Sequence, residues 1–304
     1  MATLVCPVDH GALAEDNNNL VCETCGTRFP VVNGVPVLLH EANSVFRASD
    51  YVGSEAYQGA SGYGGSADRT TGMRKLYRAF ARKLSEAPVP RATFDPTEII
   101  FKQMPDAEIL VIGSGERDMR GNVTYTDVAF AKNIACICDG HDLPFPAASF
   151  DAVFVESVLE HVCDPQRVVA EVLRVLRPDG FVYAETPFLQ PVHMGAYDFT
   201  RFTLLGHRRL FRHFDELASG MVGGPAYAAI HVMRNLLVAT SDRRKVRAVL
   251  RLAGLLLTYP LRYLDPLVSR TDASLNAGCA FYFLGRRRAS PISDRDLIGL
   301  FRGA

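Results

Sequence analysis

Three groups of residues in this 304-residue chain have types and spacings suited to chemistry. Near the start, Cys22 and Cys25 stand as C-x-x-C, the knuckle spacing at which two thiolates reach one tetrahedral zinc. Cys6 opens an earlier C-P-x-x-H segment, in which Asp9 stands where a second cysteine is expected and His10 follows. Carboxylate and imidazole both ligate zinc, so Cys6, Cys22 and Cys25 with Asp9 or His10 form a candidate Cys₃Asp or Cys₃His site. The alternative is a ribbon that has lost its metal and kept its hairpins. The second group lies in ETPFLQPVHMGAYDFTRFT (residues 185–203), where His193, Tyr197, Asp198 and Arg201 bring a base, an aromatic wall and an ion pair into one loop. Its structural counterpart is a local Asp198–Arg201 salt bridge ahead of a helix at Thr203. The third group is Glu160-His161, either catalytic or simply a packed pair at a helix end.

These residues need elements to hold them. Strand-like runs occur at Glu108–Ile112, Val123–Asp127, Ile134–Cys138, Ala152–Glu156 and Phe181–Thr186. The clearest helix is Asp164–Arg177: Asp164 suits an N-cap, Pro165 a first helical position, and Val168, Val172, Val175 and Leu176 share one face. Pro178-Asp179-Gly180 should end it. Strand, helix, turn and strand in that order make a βαβ unit and hence a parallel sheet. Helical spacing also predicts elements at Met73–Ser85 and Thr203–Phe214, and Asn276–Leu284 reads as a late strand.

The order of motifs EILVIGSGE, DGHDLPFPAASFDAVFVESVLEHV and RVLRPDGFVYAETPF resembles class I S-adenosylmethionine-dependent methyltransferases of the type-11 kind. The resemblance covers about residues 108–214. It implies that Gly113, Ser114 and Gly115 meet the cofactor's amino-acid portion, where absent side chains let the backbone approach. It further implies that Asp127 binds the ribose hydroxyls and Asp139 the adenine amine, with Gly140, His141 and Leu143 around the base. Glu156 would face the methyl-bearing sulfur, and His193, Asp198 and His161 become catalytic candidates. Val111 stands where the family has an acid, and Arg117 replaces the third glycine of the turn. Only residues 116–122 and 128–133 connect the first three strands. A helical crossover needs about a dozen residues, so these crossovers are shortened. The start of the chain resembles the small zinc-ribbon proteins that partner and activate methyltransferases.

The expected fold is α/β: a doubly wound, mostly parallel Rossmann-like methyltransferase sheet with shortened first crossovers. A β zinc-ribbon-like module precedes it, and a helical insertion comes before its last strand. The expected divisions are the ribbon at residues 1–40, a Gly/Ser-rich linker at 41–72, the methyltransferase-like domain at 73–288 with its insertion at 225–270, and a tail at 289–304. Lys+Arg and Asp+Glu balance at 33 each, so no net field recruits nucleic acid. Seven cysteines, without disulfide-like spacing or an N-terminal leader pattern, suit a reducing, cytoplasmic setting. The apolar load of 225–270, flanked by Arg243, Arg244, Lys245 and Arg247, must be covered by the domain as a lid, by a second subunit or by a membrane surface. The expected activity is methyl transfer from S-adenosylmethionine to a small-molecule, glycan or lipid-linked acceptor, with one structural zinc. The alternatives are a non-catalytic scaffold that has lost the cofactor and a peripheral membrane protein.

Overall fold

The cysteine-containing segment folds as a meander of four short antiparallel strands: Leu13–Asp16 (β1), Asn19–Cys22 (β2), Arg28–Val32 (β3) and Val35–Leu38 (β4). Asn33 and Gly34 both take positive φ, which suits the two-residue turn joining β3 to β4. The computed structural model describes residues 2–53 and 95–303, apart from Glu116 and Lys132. The helix expected at Met73–Ser85 lies outside the described residues.

The second sheet section follows the expected strands closely. It contains Glu108–Ile112 (β5), Asn122–Asp127 (β6), Ile134–Cys138 (β7), Phe150–Glu156 (β8) and Leu176–Pro187 (β9), all paired in parallel. Ile109 and Val111 face one side of β5 while Leu110 and Ile112 face the other, and all four are buried. The helix Pro165–Val175 (α2) covers one face with Val168, Val169, Val172 and Val175; Asp164 caps it by accepting from the Arg167 amide at 3.0 Å. It stops two residues earlier than expected. Leu176 already pairs with Phe150 and Phe181 with Ala152, so Arg177–Gly180 loops out between them.

Helix Pro96–Gln103 (α1), which is not among the helices expected from the sequence, buries Ile100 against the opposite face. The stretches 113–121 and 128–133 contain no helix among the described residues, as their lengths required.

Helix Leu204–Leu210 (α3) is shorter than the expected Thr203–Phe214, because Phe214 opens an unforeseen strand, Phe214–Gly223 (β10). Two register shifts interrupt this edge strand, which destroys the clean alternation that would have announced it. Ala280–Arg287 (β11) lies antiparallel between β9 and β10. β4 pairs in parallel with β7 through Val37↔Ile137 and Leu38↔Cys138. The ribbon thereby extends the main sheet, in the order β1-β2-β3-β4-β7-β6-β5-β8-β9-β11-β10.

The insertion is a helix pair, Pro225–Ala239 (α4) and Arg244–Thr258 (α5), followed by the short helix Asp265–Val268 (α6). Buried Asp265 holds the start of α4 by accepting from the Ala226 and Tyr227 amides. Arg234 of α4 donates to Thr258 of α5. Among the described residues no helix is long and apolar enough to cross a membrane. A final short helix, Asp294–Ile298 (α7), lies near α3, and Asp294 pairs with Arg209.

His207 of α3 sits buried against Phe211 and Phe283, and neither ring nitrogen has a partner among the described residues. Burial pulls its pKa from 6.5 down to about 3. Below 6.5 the unfolded chain takes up a proton that the native chain refuses until about pH 3, so stability rises with pH across that window. One proton is worth about 1.4 kcal/mol per pH unit. Urea unfolding at pH 7 and pH 5 should therefore show wild type losing about 2 kcal/mol more than His207→Phe. Equal losses would contradict this account of His207.

Candidate active site and ribbon metal centre

The cofactor-type residues converge where β5, β6, β7 and β8 end. At the end of β5 the chain turns at Gly113, φ +67°, where a Cβ would stand 2.4 Å from Val158 Cγ2. The Ser114 amide donates to Thr126 O at 3.0 Å and the Gly115 amide to Asp127 Oδ2 at 2.9 Å. Asp127 Oδ1 also accepts from the Ala129 amide, so this carboxylate locks two turns together. Burial raises its pKa against the pull of those amides. Asp139, ending β7, is buried and accepts from three donors: the Ser44 hydroxyl at 2.6 Å, the His141 ring Nδ1 at 2.6 Å and the His141 amide at 3.1 Å. Burial opposes its charge, but hydrogen bonds from His141 and Ser44 together with the nearby imidazole outweigh that and lower its pKa. His141 Nε2 accepts from the Asp164 amide at 3.1 Å, which places the ring proton on Nδ1 and ties the site to the start of α2. Further along, Glu171 and Arg174 of α2 clamp the Leu143–Phe145 loop through its backbone.

A cavity of about 220 Å³ lies among Gly113, Gly115, Asp127, Asp139, Gly140 and His141, walled by Phe46, Val128, Val158 and His161. Beyond Gly113 and Ser157 it adjoins an open groove of about 1130 Å³. Ser114 and Glu156 line that groove rather than the cavity, and Glu156 there forms an ion pair with Arg117. Leu143, expected around the base, is fully buried in the core beneath α2 and lines neither space. The segment after the ribbon supplies residues that sequence reasoning missed. Ser44 binds Asp139, Phe46 stacks on Tyr197 with centroids 5.7 Å apart, and Tyr51 donates to Val128 O at 2.6 Å. Residues 41–53 therefore pack over the cavity rather than hanging loose.

The donor set fits a nucleoside. A carboxylate offers about four acceptor directions. Three at Asp139 are taken, which leaves one for an exocyclic amine, while Asp127 lines the cavity for hydroxyls and Phe46, Val128 and Val158 supply apolar wall. The cavity is smaller than the roughly 300–1,000 Å³ of whole-ligand pockets. It suits the nucleoside half, leaving the adjoining groove for the rest.

The second cluster gathers Glu160, His161, His193 and Asp198. His161 Nδ1 lies 2.6 Å from Tyr197 O, and its Nε2 lies 3.0 Å from His193 Nε2. Asp198, buried, accepts from the His193 amide at 2.8 Å and is gripped on both oxygens by Arg201. Burial opposes the Asp198 charge, yet the Arg201 guanidinium and the His193 amide hold its pKa at about 2. The local Asp198–Arg201 salt bridge is thus present, while the cap of α3 is the Thr203 hydroxyl accepting from Gly206. Burial drives Glu160 up to about 7.

In the ribbon, Cys6, Asp9, Cys22 and Cys25 bring four ligand atoms within 4.8 Å of one another. Cys6 and Cys25 sulfurs stand 3.8 Å apart, and Cys22 Sγ lies 3.3 Å from Asp9 Oδ1. Two sulfurs held about 2.3 Å from one tetrahedral zinc are separated by about 3.8 Å, so the four residues fit that ion. His10 is absent from the cluster; its backbone takes φ +59° and turns the knuckle instead. Gly11 is required by close approach, since a Cβ there would stand 2.9 Å from Cys22 Sγ.

Residues 120–184 match the methyltransferase domain family Methyltransf_11, and residues 1–34 match the Trm112p-like protein family. The chain thus carries a segment of the class I S-adenosylmethionine-dependent methyltransferase type, with a Trm112p-like ribbon in front of it. A 48-residue stretch is 40% identical to a UPF0434 protein of Vesicomyosocius okutanii, covering 16% of this chain and 81% of that one. Another 72 residues are 38% identical to the ubiquinone/menaquinone biosynthesis C-methyltransferase UbiE of Ralstonia nicotianae, covering 23% of this chain and 29% of that enzyme. The chain therefore spans less than a third of that relative's length. A solved complex containing the Haloferax volcanii Trm112 methyltransferase activator is similar at 14% identity and TM-score 0.38, over 73% of this chain and 100% of the other.

Proposed function

We propose that the protein transfers a methyl group from S-adenosylmethionine to a small glycan or lipid-linked acceptor. The observation that carries this reading is the cavity at the strand ends, with Asp139 keeping one acceptor direction open. Gly113, Gly115, Asp127 and Asp139 would hold the cofactor, and when bound it supplies an electrophilic methyl on a sulfonium. The chain's own contribution is then alignment and exclusion of water. Phe46, Val128 and Val158 wall the base, and the His193–Arg201 loop leaves the sheet on the face where an acceptor must approach. Calorimetric titration with S-adenosylhomocysteine tests it. Absence of binding would favour the scaffold reading, which the missing crossover helices support.

The acceptor class is argued from the insertion. On α4, Val232, Met233 and Leu236 are exposed, and on α5 Val249, Leu252, Leu256 and Leu257 are too. Leu257 is 69% exposed and Leu267, beyond α5, is 65% exposed. None of 225–270 lines the cavity or the adjoining groove, which leaves these exposed apolar side chains for another surface. Exposed Arg243, Arg244 and Lys245 lie at the start of α5. Apolar side chains beside basic ones suit an anionic lipid surface. Each basic residue contributes about 1 kcal/mol there. The full chain should cosediment with phosphatidylserine vesicles in a salt-sensitive way, and R244E with K245E should weaken this about tenfold or more. A monomer that ignores such vesicles would remove the membrane-borne acceptor.

A further inference from the structure

Beside the nucleoside-sized cavity, three metal-ligating atoms converge on one point. His161 Nε2 and His193 Nε2 are 3.0 Å apart, and Glu160 Oε1 lies 3.6 Å from the first and 3.9 Å from the second. A point equidistant from three atoms so separated lies about 2 Å from each, the length of a zinc–nitrogen or zinc–oxygen bond. The surroundings prepare the rings for that use. His161 directs Nδ1 at Tyr197 O, so its proton sits there and Nε2 presents a lone pair. His193 sets Nδ1 3.3 Å from Asp198 Oδ2, and Arg201 fixes that carboxylate from behind. Outer carbonyls and carboxylates of this kind orient metal-bound histidines.

The remaining carboxylate atom gives an independent sign. The Glu160 side chain is 1% exposed, and its Oε2 has no hydrogen-bond partner among the described residues. A buried carboxyl oxygen without a partner is costly, and coordination of that carboxyl group to a metal ion offsets the cost. His161 also lines the cavity, which sets the cluster next to the proposed methyl donor.

We infer that Glu160, His161 and His193 form a site for one divalent transition-metal ion, separate from the thiolate centre of the ribbon. Two imidazoles and one carboxylate leave coordination positions open, the arrangement that suits iron(II), manganese or zinc with an exchangeable oxygen ligand. On the methyltransferase reading, that ligand is an oxygen of the acceptor, which the cation orients and makes more acidic. The role in transfer rests on that reading, whereas metal uptake does not.

The test is titration of the chelator-stripped full chain with Co²⁺, followed by absorbance and by bound-metal analysis. Wild type should take up two equivalents, one with thiolate charge-transfer absorption and one without. Cys22→Ser should lose the first only. His193→Ala and the near-isosteric Glu160→Gln should each lose the second only, with unchanged circular dichroism and unchanged S-adenosylhomocysteine affinity. A wild-type chain that binds one equivalent, abolished by Cys22→Ser, would overturn the inference and leave a shared proton between the imidazoles. Retention of both equivalents by His193→Ala and Glu160→Gln would overturn it as well.

Discussion

Cys22→Ser is expected to abolish zinc binding by the ribbon and, through it, to weaken the cofactor site, although three strand spacings of roughly 4.8 Å each separate β2 from β7. The local argument is one of size. The ribbon's buried apolar set is Val5, Cys6, Cys22, Phe29 and Val32, with Val37, Leu38 and Leu39 buried at its junction with the main sheet. Structural zinc contributes on the order of 10–16 kcal/mol in zinc-finger peptides, so a module this small depends on it. The longer-range argument is connectivity. β4 leaves the ribbon to pair with β7, and the next residues deliver Ser44 to Asp139 and Phe46 to the cavity wall. The Val5 amide also donates to Pro144 O at 3.0 Å, beside the loop that follows Asp139. Metal analysis should show one more zinc per chain in wild type than in the variant. Hydrogen exchange should show protection lost from residues 2 to 38. Equal zinc content in the two proteins would contradict the ribbon site.

The parts legible in the sequence were those governed by short-range pattern. Apolar runs bounded by turns revealed β5 to β9, and an N-cap, a first-turn proline and one valine face revealed α2. The C-x-x-C spacing pointed to a thiol cluster, which Cys6, Asp9, Cys22 and Cys25 form, and the spacing between strands forecast shortened crossovers. What escaped depends on contacts that local composition does not encode. Ser44 reaches an acid 95 positions away, and Tyr51 reaches a carbonyl 77 positions away, from a segment whose Gly/Ser/Ala content reads as linker. Leu143 looked like a wall of the base because it follows Asp139 closely, yet Glu171 turns its backbone so that the side chain enters the core. Between Asp9 and His10 the residue types allowed either ligand, and only the backbone turn at His10 separates them. Likewise His161 and His193 are 32 positions apart, and their meeting depends on the loop after β9 folding back over the end of β8.

Asp139 carries the largest expected effect on cofactor affinity. Its carboxylate is buried, charged and already organised by His141 and Ser44, so its remaining acceptor direction is fixed in space before any ligand arrives. Removing one hydrogen-bond acceptor from such a site costs about 1–3 kcal/mol. That range corresponds to an affinity loss of roughly 5- to 150-fold. Asp139→Asn keeps an oxygen for Ser44 while removing the charge, so it separates loss of organisation from loss of the acceptor. The most direct measurement is calorimetric titration of wild type, Asp139→Asn and Asp139→Ala with S-adenosylhomocysteine. The cavity reading predicts one ligand per wild-type chain, with affinity falling in both variants and further in Asp139→Ala. No heat from wild type at millimolar ligand, or equal affinities in all three proteins, would contradict it.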